Sequence, residues 1–382
     1  MAPSVTTKRV VLFVHCTKLN MAIAEPSISP LIALLAFFVY APLCLMTLLL
    51  NLLSIAVLAH GHRYFSQKFF FIVGRHLLAA DLLSTTAQLL VAVPVSVMAT
   101  ETAKNYLRSS FAQFVTTFET LAHLNTFHFV ALQACAFLPC FQKERVAFRL
   151  NAYGSFISLV VWMLIAGQML LFGFVPCAKR FDPLTLHFFD SCYWSNANQR
   201  GSGSALLNIW LSVLLCTAFF IYSTGLSHVR RQMSHFCNHN VRVRRKSISI
   251  SVIMPSTIGQ DGPSSVLPSS PNQLSPKRRE VLERKRLTEL CRLHDLIVQG
   301  FLITMSLAVR FAGFFVMPWL ASAMFGISAN AIDQRALVCV MANTCILLSL
   351  ISHPLIYWWW NLRIRALTKE IVETMHKKLL KS

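Results

Sequence analysis

The chain reads as an all-α membrane protein, a bundle of seven transmembrane helices followed by a short amphipathic helix at the C-terminus. Three observations predict this. Residues are 55% hydrophobic and only 13% charged, whereas a soluble domain carries roughly 25% charged residues. Mean hydropathy is +0.56. Seven stretches, at about 31–58, 69–98, 111–138, 152–176, 205–229, 294–320 and 335–360, supply the ~20 mainly apolar residues that cross a bilayer as a helix. Alternating strands of a porin-type barrel give no such runs.

The stretch before the first span, residues 1–30, is expected outside the cell. Lys8 and Arg9 precede an apolar run, Val10 to Val14, too short for a signal peptide. The first span then acts as signal anchor, with Met21 as an alternative start. Orientation follows from Lys and Arg, which accumulate on the cytoplasmic side. With the N-terminus outside, the inner loops and tail hold 24 of the 35 Lys and Arg residues. The net charge of +20 is thus a cytoplasmic face that meets anionic lipid and an acidic partner, not a nucleic-acid surface. No internal repeat joins the two halves, which counts against many transporter folds.

Spans one to five occupy 31–229, and 230–292 is a long basic cytoplasmic loop. Its Ser- and Pro-rich part, 247–276, lacks hydrophobic periodicity and is expected to be disordered. Residues 277–292 are helix-compatible and extend the sixth helix. Arg244-Arg245-Lys246-Ser247 matches a basophilic kinase site at Ser247, whose phosphorylation would lower the loop's charge. An ordinary solvated basic tract reads the same. Spans six and seven fill 293–360. Residues 361–382 mix Ile, Leu and Met with Arg and Lys, which suits a helix lying on the inner leaflet.

Several residues within the spans carry a family resemblance. Helix 1 has Asn51, helix 2 has Leu78-Ala79-Ala80-Asp81, helix 4 has Trp162, and helix 5 has Tyr222. Helix 7 ends His353-Pro354-Leu355-Ile356-Tyr357. Together these resemble the rhodopsin-like G-protein-coupled receptors, with His353 in place of the Asn of Asn-Pro-x-x-Tyr. The run Leu132-Gln133-Ala134 before Leu138-Pro139, and His76-Leu77 in helix 2, are similar to vomeronasal type-1 and fish olfactory receptors. His353 eight residues before Asn361 resembles the bitter-taste receptors. Helix 3 lacks Asp-Arg-Tyr and helix 6 lacks Cys-Trp-x-Pro. No Cys lies between Cys44 and Cys135, so the usual disulfide to the second outer loop cannot form. Cys177 and Cys192 are an alternative pair that could bridge within that loop.

The resemblance implies a plasma-membrane receptor that takes an extracellular small molecule, chemosensory in kind, and couples to a heterotrimeric G protein. It implies a polar core around Asp81, of the kind that holds sodium in the family. It places Asn51, Asp81, Gln133, Tyr222, His353, Pro354 and Tyr357 in activation and coupling. A transporter of a small solute and a non-signalling receptor relic are the alternatives.

Ligand candidates come from polar residues inside spans, which are costly in lipid and so face the bundle. Thr116, Glu119, His123 and Thr126 recur at spacings of three or four on one face of helix 3. Arg310 lies eight residues before Pro318 in helix 6. Glu119 and Arg310 are expected to face each other in the outer half, as a resting salt bridge or a site for a charged ligand. Snorkelling to the headgroups, or a purely structural lock, is the other reading. Asn343 joins them, with Trp319, Gln168 and Asn208 behind. His123 and His128 are read as pH sensors or, more simply, as core histidines. Asp81 and Glu119 are expected on different helices at different depths. No Walker loop, Gly-x-Ser-x-Gly, His-Glu-x-x-His or zinc spacing is present, so no enzyme, metal or cofactor is expected.

Overall fold

The computed structural model describes residues 28–65, 68–138, 144–169, 179–190, 202–250, 276–325 and 332–379. Eight principal helices organise them. They are α1 (Pro30–His60), α2 (Phe69–Val95), α3 (Ser110–Cys135), α4 (Glu144–Gln168), α5 (Ser202–Ile250), α6 (Pro276–Phe311), α7 (Ile332–Trp360) and α8 (Leu362–Leu379). After Phe311, α6 continues through a π turn, Ala312–Val316, into Met317–Phe325. The one sheet among these residues is a hairpin, β1 (Lys179–Asp182) with β2 (His187–Asp190).

Six of the helices are long and apolar enough to cross a membrane: α1, α2, α4, α5, α6 and α7. This is a membrane protein by that measure. Six of the seven expected spans meet that measure, and the third does not. At 26 residues α3 is about 39 Å long, enough for a ~30 Å core. Its composition is what differs, because Thr116, Glu119, His123, Asn125, Thr126 and Gln133 are all buried along it. The fold shields them: α3 packs against α2, α4, α5 and α6. The peripheral helices do the reverse. Phe38 on α1 and Phe220 on α5 stay 65% and 70% exposed, an apolar surface suited to lipid tails.

Side chains cap helix starts, one from a neighbouring helix and two from the residue just before the helix. Asn151 of α4 accepts the backbone N–H of Phe69 at 2.7 Å, at the start of α2. Ser109 accepts Ala112 N–H at 3.2 Å for α3. Asn361 accepts the N–H groups of Arg363 and Ile364 at 3.1 and 3.2 Å for α8. Each satisfies donors that a helix start leaves orphaned.

Both π turns sit just ahead of a proline. In α2 the turn Gln88–Ala92 precedes Pro94. Proline cannot donate to the carbonyl four residues back, and Tyr106 Oη–H donates to that Leu90 carbonyl instead, at 2.6 Å. In α6 the turn precedes Pro318. A Cβ on Gly313 would stand 2.8 Å from the Ala342 carbonyl, so glycine is what lets α6 and α7 approach here.

Helix α5 runs to Ile250, 21 residues beyond the expected end of span five, because nothing in the basic segment breaks it before the Ser- and Pro-rich stretch. Residues 247–250 are therefore helical, and 251–275 lie outside the described residues. So do Cys177 and Cys192, and so does the side chain of Ser247.

Candidate functional site: a buried charge cluster beneath a loop hairpin

The apolar interior divides in two. One cluster holds Phe65, Phe70, Phe137, Tyr222, Tyr357 and Ile364 at the α8 end. The other holds Tyr40, Val91, Phe181, Leu186, Phe188 and Phe314 at the hairpin end. Between them lies a polar layer. Its centre is Arg310, which is fully buried together with Asp81 and Glu119.

The geometry joins four helices, α2, α3, α6 and α7. Arg310 Nη1 lies 3.3 Å from Asp81 Oδ1, and Nη2 lies 3.6 Å from Glu119 Oε1. Nη1 also donates to Thr126 Oγ1 at 3.3 Å, and Nη2 to Ser84 Oγ at 3.0 Å. Ser84 Oγ in turn donates to Glu119 Oε2 at 2.6 Å. His353 Nδ1 donates to Asp81 Oδ2 at 2.6 Å. Two carboxylates thus face one guanidinium. The remaining carboxylate oxygens are met by the Ser84 hydroxyl and the His353 imidazole.

Two expectations change here. Asp81 and Glu119 do not sit at separate depths; one guanidinium spans both, because its two Nη atoms reach in different directions. Arg310 does not snorkel to the membrane surface. A sodium site at Asp81 does not fit these residues either, since Arg310 and His353 already engage both carboxylate oxygens. Among the described residues no group of three His, Cys, Asp or Glu converges as a metal site.

The other candidates divide by position. Asn343 exchanges two amide hydrogen bonds with Gln88, at 3.0 and 3.2 Å, beside the charge cluster. Gln133 Nε2 donates to Tyr357 Oη at 2.9 Å and to the Phe70 carbonyl at 3.1 Å, at the α8 end. The Tyr222 ring lies 5.5 Å from Phe137 in the same region. Pro354 interrupts the bonding of α7, and Ser306 of α6 donates to the nearby Ser349 carbonyl at 3.1 Å. Asn51 is buried but turns back to the Thr47 carbonyl at 2.9 Å. Thr116 likewise bonds only its own helix. Trp162 donates to His76 Nδ1 at 3.3 Å. Asn208 is half-buried and Gln168 exposed. His128 has a backbone partner at Nδ1, Leu124, and accepts from Trp210 at Nε2, as a core histidine does.

His123 differs. It is 2% exposed and neither ring nitrogen has a hydrogen-bond partner. Its ring lies 4.6 Å from Phe314 and 5.8 Å from Phe315. The hairpin reaches the same place. Tyr40 Oη donates to the Leu186 carbonyl at 3.0 Å, pinning a residue with φ 53°, a left-handed conformation that leucine seldom adopts. Asp182 orders the turn by accepting from Leu184 N–H and Thr185 Oγ. Lys179, 2% exposed, donates its N–H to Thr120 Oγ1 at 3.0 Å and holds its ammonium 4.0 Å above the Phe314 ring. Burial, and secondarily the Lys179 charge, pushes the His187 imidazole down to about 3.

Sequence reasoning missed Ser84, Gln88, Lys179 and His187. Ser84 and Gln88 follow Asp81 at i+3 and i+7, so the stripe on α2 was readable. Nothing in the run around Lys179 marks it as inward-facing. No protein-family model matches the chain, and no curated protein matches it in sequence.

Proposed function

We propose that this chain is a receptor of the rhodopsin-like G-protein-coupled kind, with α3 as the enclosed seventh span. The N-terminus lies outside, the hairpin faces the exterior of a plasma-membrane cell surface, and α8 lies on the inner leaflet. An extracellular small molecule, of chemosensory type, binds at the hairpin end. A heterotrimeric G protein binds at the other, meeting the basic ends of α5 and α6.

One observation carries this reading: a buried polar seam through an apolar bundle. It runs from Lys179 past Glu119 and Arg310 to Asp81 and His353, and one turn further along α7 it reaches Tyr357 and Gln133. Such groups are expensive in a membrane and mark function. Their value to a receptor is that each ion pair is a discrete contact, made or broken, so the helices have distinct packings for a ligand to choose between. Arg310 sits on α6 and couples it to α2 and α3. A ligand that draws Glu119 away from Arg310 would loosen α6 where it crosses the core. The residues His353 to Tyr357, which resemble the family's helix 7 motif, lie at the receiving end.

A proton-coupled solute transporter is the second reading, favoured by the titratable side chains of the same seam. The discriminating experiment is nucleotide-dependent recruitment of a panel of Gα proteins in cells with confirmed surface expression. Recruitment reversed by GTP and weakened by Tyr357→Ala supports the receptor. Solute flux without recruitment supports the transporter.

A further inference from the structure

We propose that the chamber beneath the hairpin is a binding site for a primary alkylammonium group, which Lys179 of the hairpin itself occupies in this structure. As to which ligand opens the protein, this rests on the receptor reading above; the binding does not.

The chamber is built from four elements. The α6 π turn presents Phe314 and Phe315, and α3 presents Thr120, His123 and Glu119. The hairpin closes it with Lys179 and His187, and Tyr40 of α1 holds the hairpin in place through Leu186. Lys179 Nζ lies 4.0 Å from the centroid of Phe314 and 5.4 Å from that of Phe315. A cation over two ring faces, shielded from water, is held by their quadrupoles. The imidazoles of His123 and His187 lie against Phe314 at 4.6 and 5.9 Å, and all four of their nitrogens lack hydrogen-bond partners although buried. Buried polar atoms are ordinarily satisfied. One turn along α3, Glu119 Oε1 has its ion pair but no hydrogen bond.

These features select one chemistry. The walls are aromatic, the floor is anionic, and the unsatisfied atoms include imidazole nitrogens that accept when neutral. An ammonium bearing N–H groups supplies positive charge and up to three donors with no acceptor. Lys179, fixed by its tether over the rings, leaves the imidazole nitrogens unbonded; a free alkylammonium can turn an N–H toward one, and a quaternary ammonium has none to offer. An alcohol would satisfy a nitrogen but not the rings or the carboxylate. Lys179 reaches the chamber by tethering, so a free amine competes with it at the high effective concentration of a tethered group.

The test is chemical rescue in lipid nanodiscs. Lys179→Ala should lower the melting temperature, and n-butylamine should restore it, by about 3 °C at tenfold above half-saturation. Wild type should not respond, because its own lysine fills the site. n-Butanol and tetramethylammonium should leave the variant unchanged, and adding Glu119→Gln should blunt the rescue. No rescue, equal rescue of wild type, or equal rescue by butanol would overturn the proposal. Should Lys179→Ala fail to fold, Lys179→Met takes its place, with ammonium ion instead of n-butylamine, because the Met side chain refills the stem and leaves room for the nitrogen alone. Reductive methylation of folded wild type gives a check without any variant. Lys179 should stay unmodified while exposed Lys285 and Lys369 react, and an equal rate at Lys179 would also sink the idea. Since every readout is binding or protection, amine rescue alongside absent Gα recruitment would reject the receptor reading and leave the site standing.

Discussion

Replacing Arg310 by Met removes the one guanidinium from a layer that holds Asp81 and Glu119, all three fully buried. At contacts of 3.3 and 3.6 Å and an effective dielectric of about 20, each attraction is on the order of 5 kcal/mol before desolvation. The net loss is smaller, because the charges also shed a desolvation penalty. Removing one partner of a buried pair costs about 3–5 kcal/mol, chiefly from the charge left behind. Here two carboxylates are left, and Ser84 and Thr126 lose a donor each. Taking ~2 °C per kcal/mol for a large domain, Arg310→Met should lower the melting temperature by at least about 5 °C. A thiol-reactive dye reports this once the exposed Cys216 and Cys291 are blocked, since Cys44 and Cys339 are buried until the bundle opens. The cause is uncompensated charge, so Asp81→Asn and Glu119→Gln added to Arg310→Met should recover most of the loss. A single variant within 1 °C of wild type, or a triple variant no better than the single, would show that Arg310 does not hold the layer through its charge.

Sodium should do nothing, because Arg310 and His353 engage both oxygens of Asp81; a melting temperature that rises with sodium at constant ionic strength would contradict this. Acid should undock the hairpin. His187 is held near 3 in place against an ordinary 6.5 in water, so the undocked state binds more protons between those values. Docking is thus undiminished above pH ~6.5 and weakens as pH falls toward 3, by on the order of 2 kcal/mol at pH 5. Amide exchange in residues 179–190 at pH 7.5 and 5 measures it, and His187→Phe should flatten the profile. Gly300→Ala should collide with the Tyr222 ring, well inside van der Waals contact, costing about 1–3 kcal/mol. Its melting temperature should fall, and Gly225→Ala, whose Cβ would meet only Ile297 at 3.5 Å, should not.

Much of the helical plan was legible because lipid enforces it: a 20-residue apolar run leaves the backbone few other options. The exception, α3, failed the apolar criterion for the reason that makes it central. Four neighbouring helices replace lipid around it, so Glu119, His123 and Gln133 are tolerated there. The facing of Glu119 and Arg310 could be anticipated from spacing and from the cost of charge in a span. That Asp81 and His353 share the same layer could not, because relative helix depth depends on how the helices tilt and pack. The π turns at Gln88–Ala92 and Ala312–Val316 shift the register of everything beyond them, and only their prolines are visible in sequence. Lys179 was illegible altogether. A lone lysine in a loop reads as solvated, and its burial depends on Thr120 and Tyr40, which are distant in the chain.

Under the receptor reading, the seam from the hairpin to Tyr357 transmits a signal across the bundle. The most direct test is Gα recruitment measured on the same cell-surface preparation for wild type, Tyr357→Ala and the Asp81→Asn, Glu119→Gln, Arg310→Met triple variant. The prediction is recruitment that GTP reverses in wild type, is weakened in Tyr357→Ala, and shifts in basal level in the stable triple variant. Equal recruitment by all three, or none by any well-expressed form across the panel of Gα proteins and candidate ligands, would contradict it.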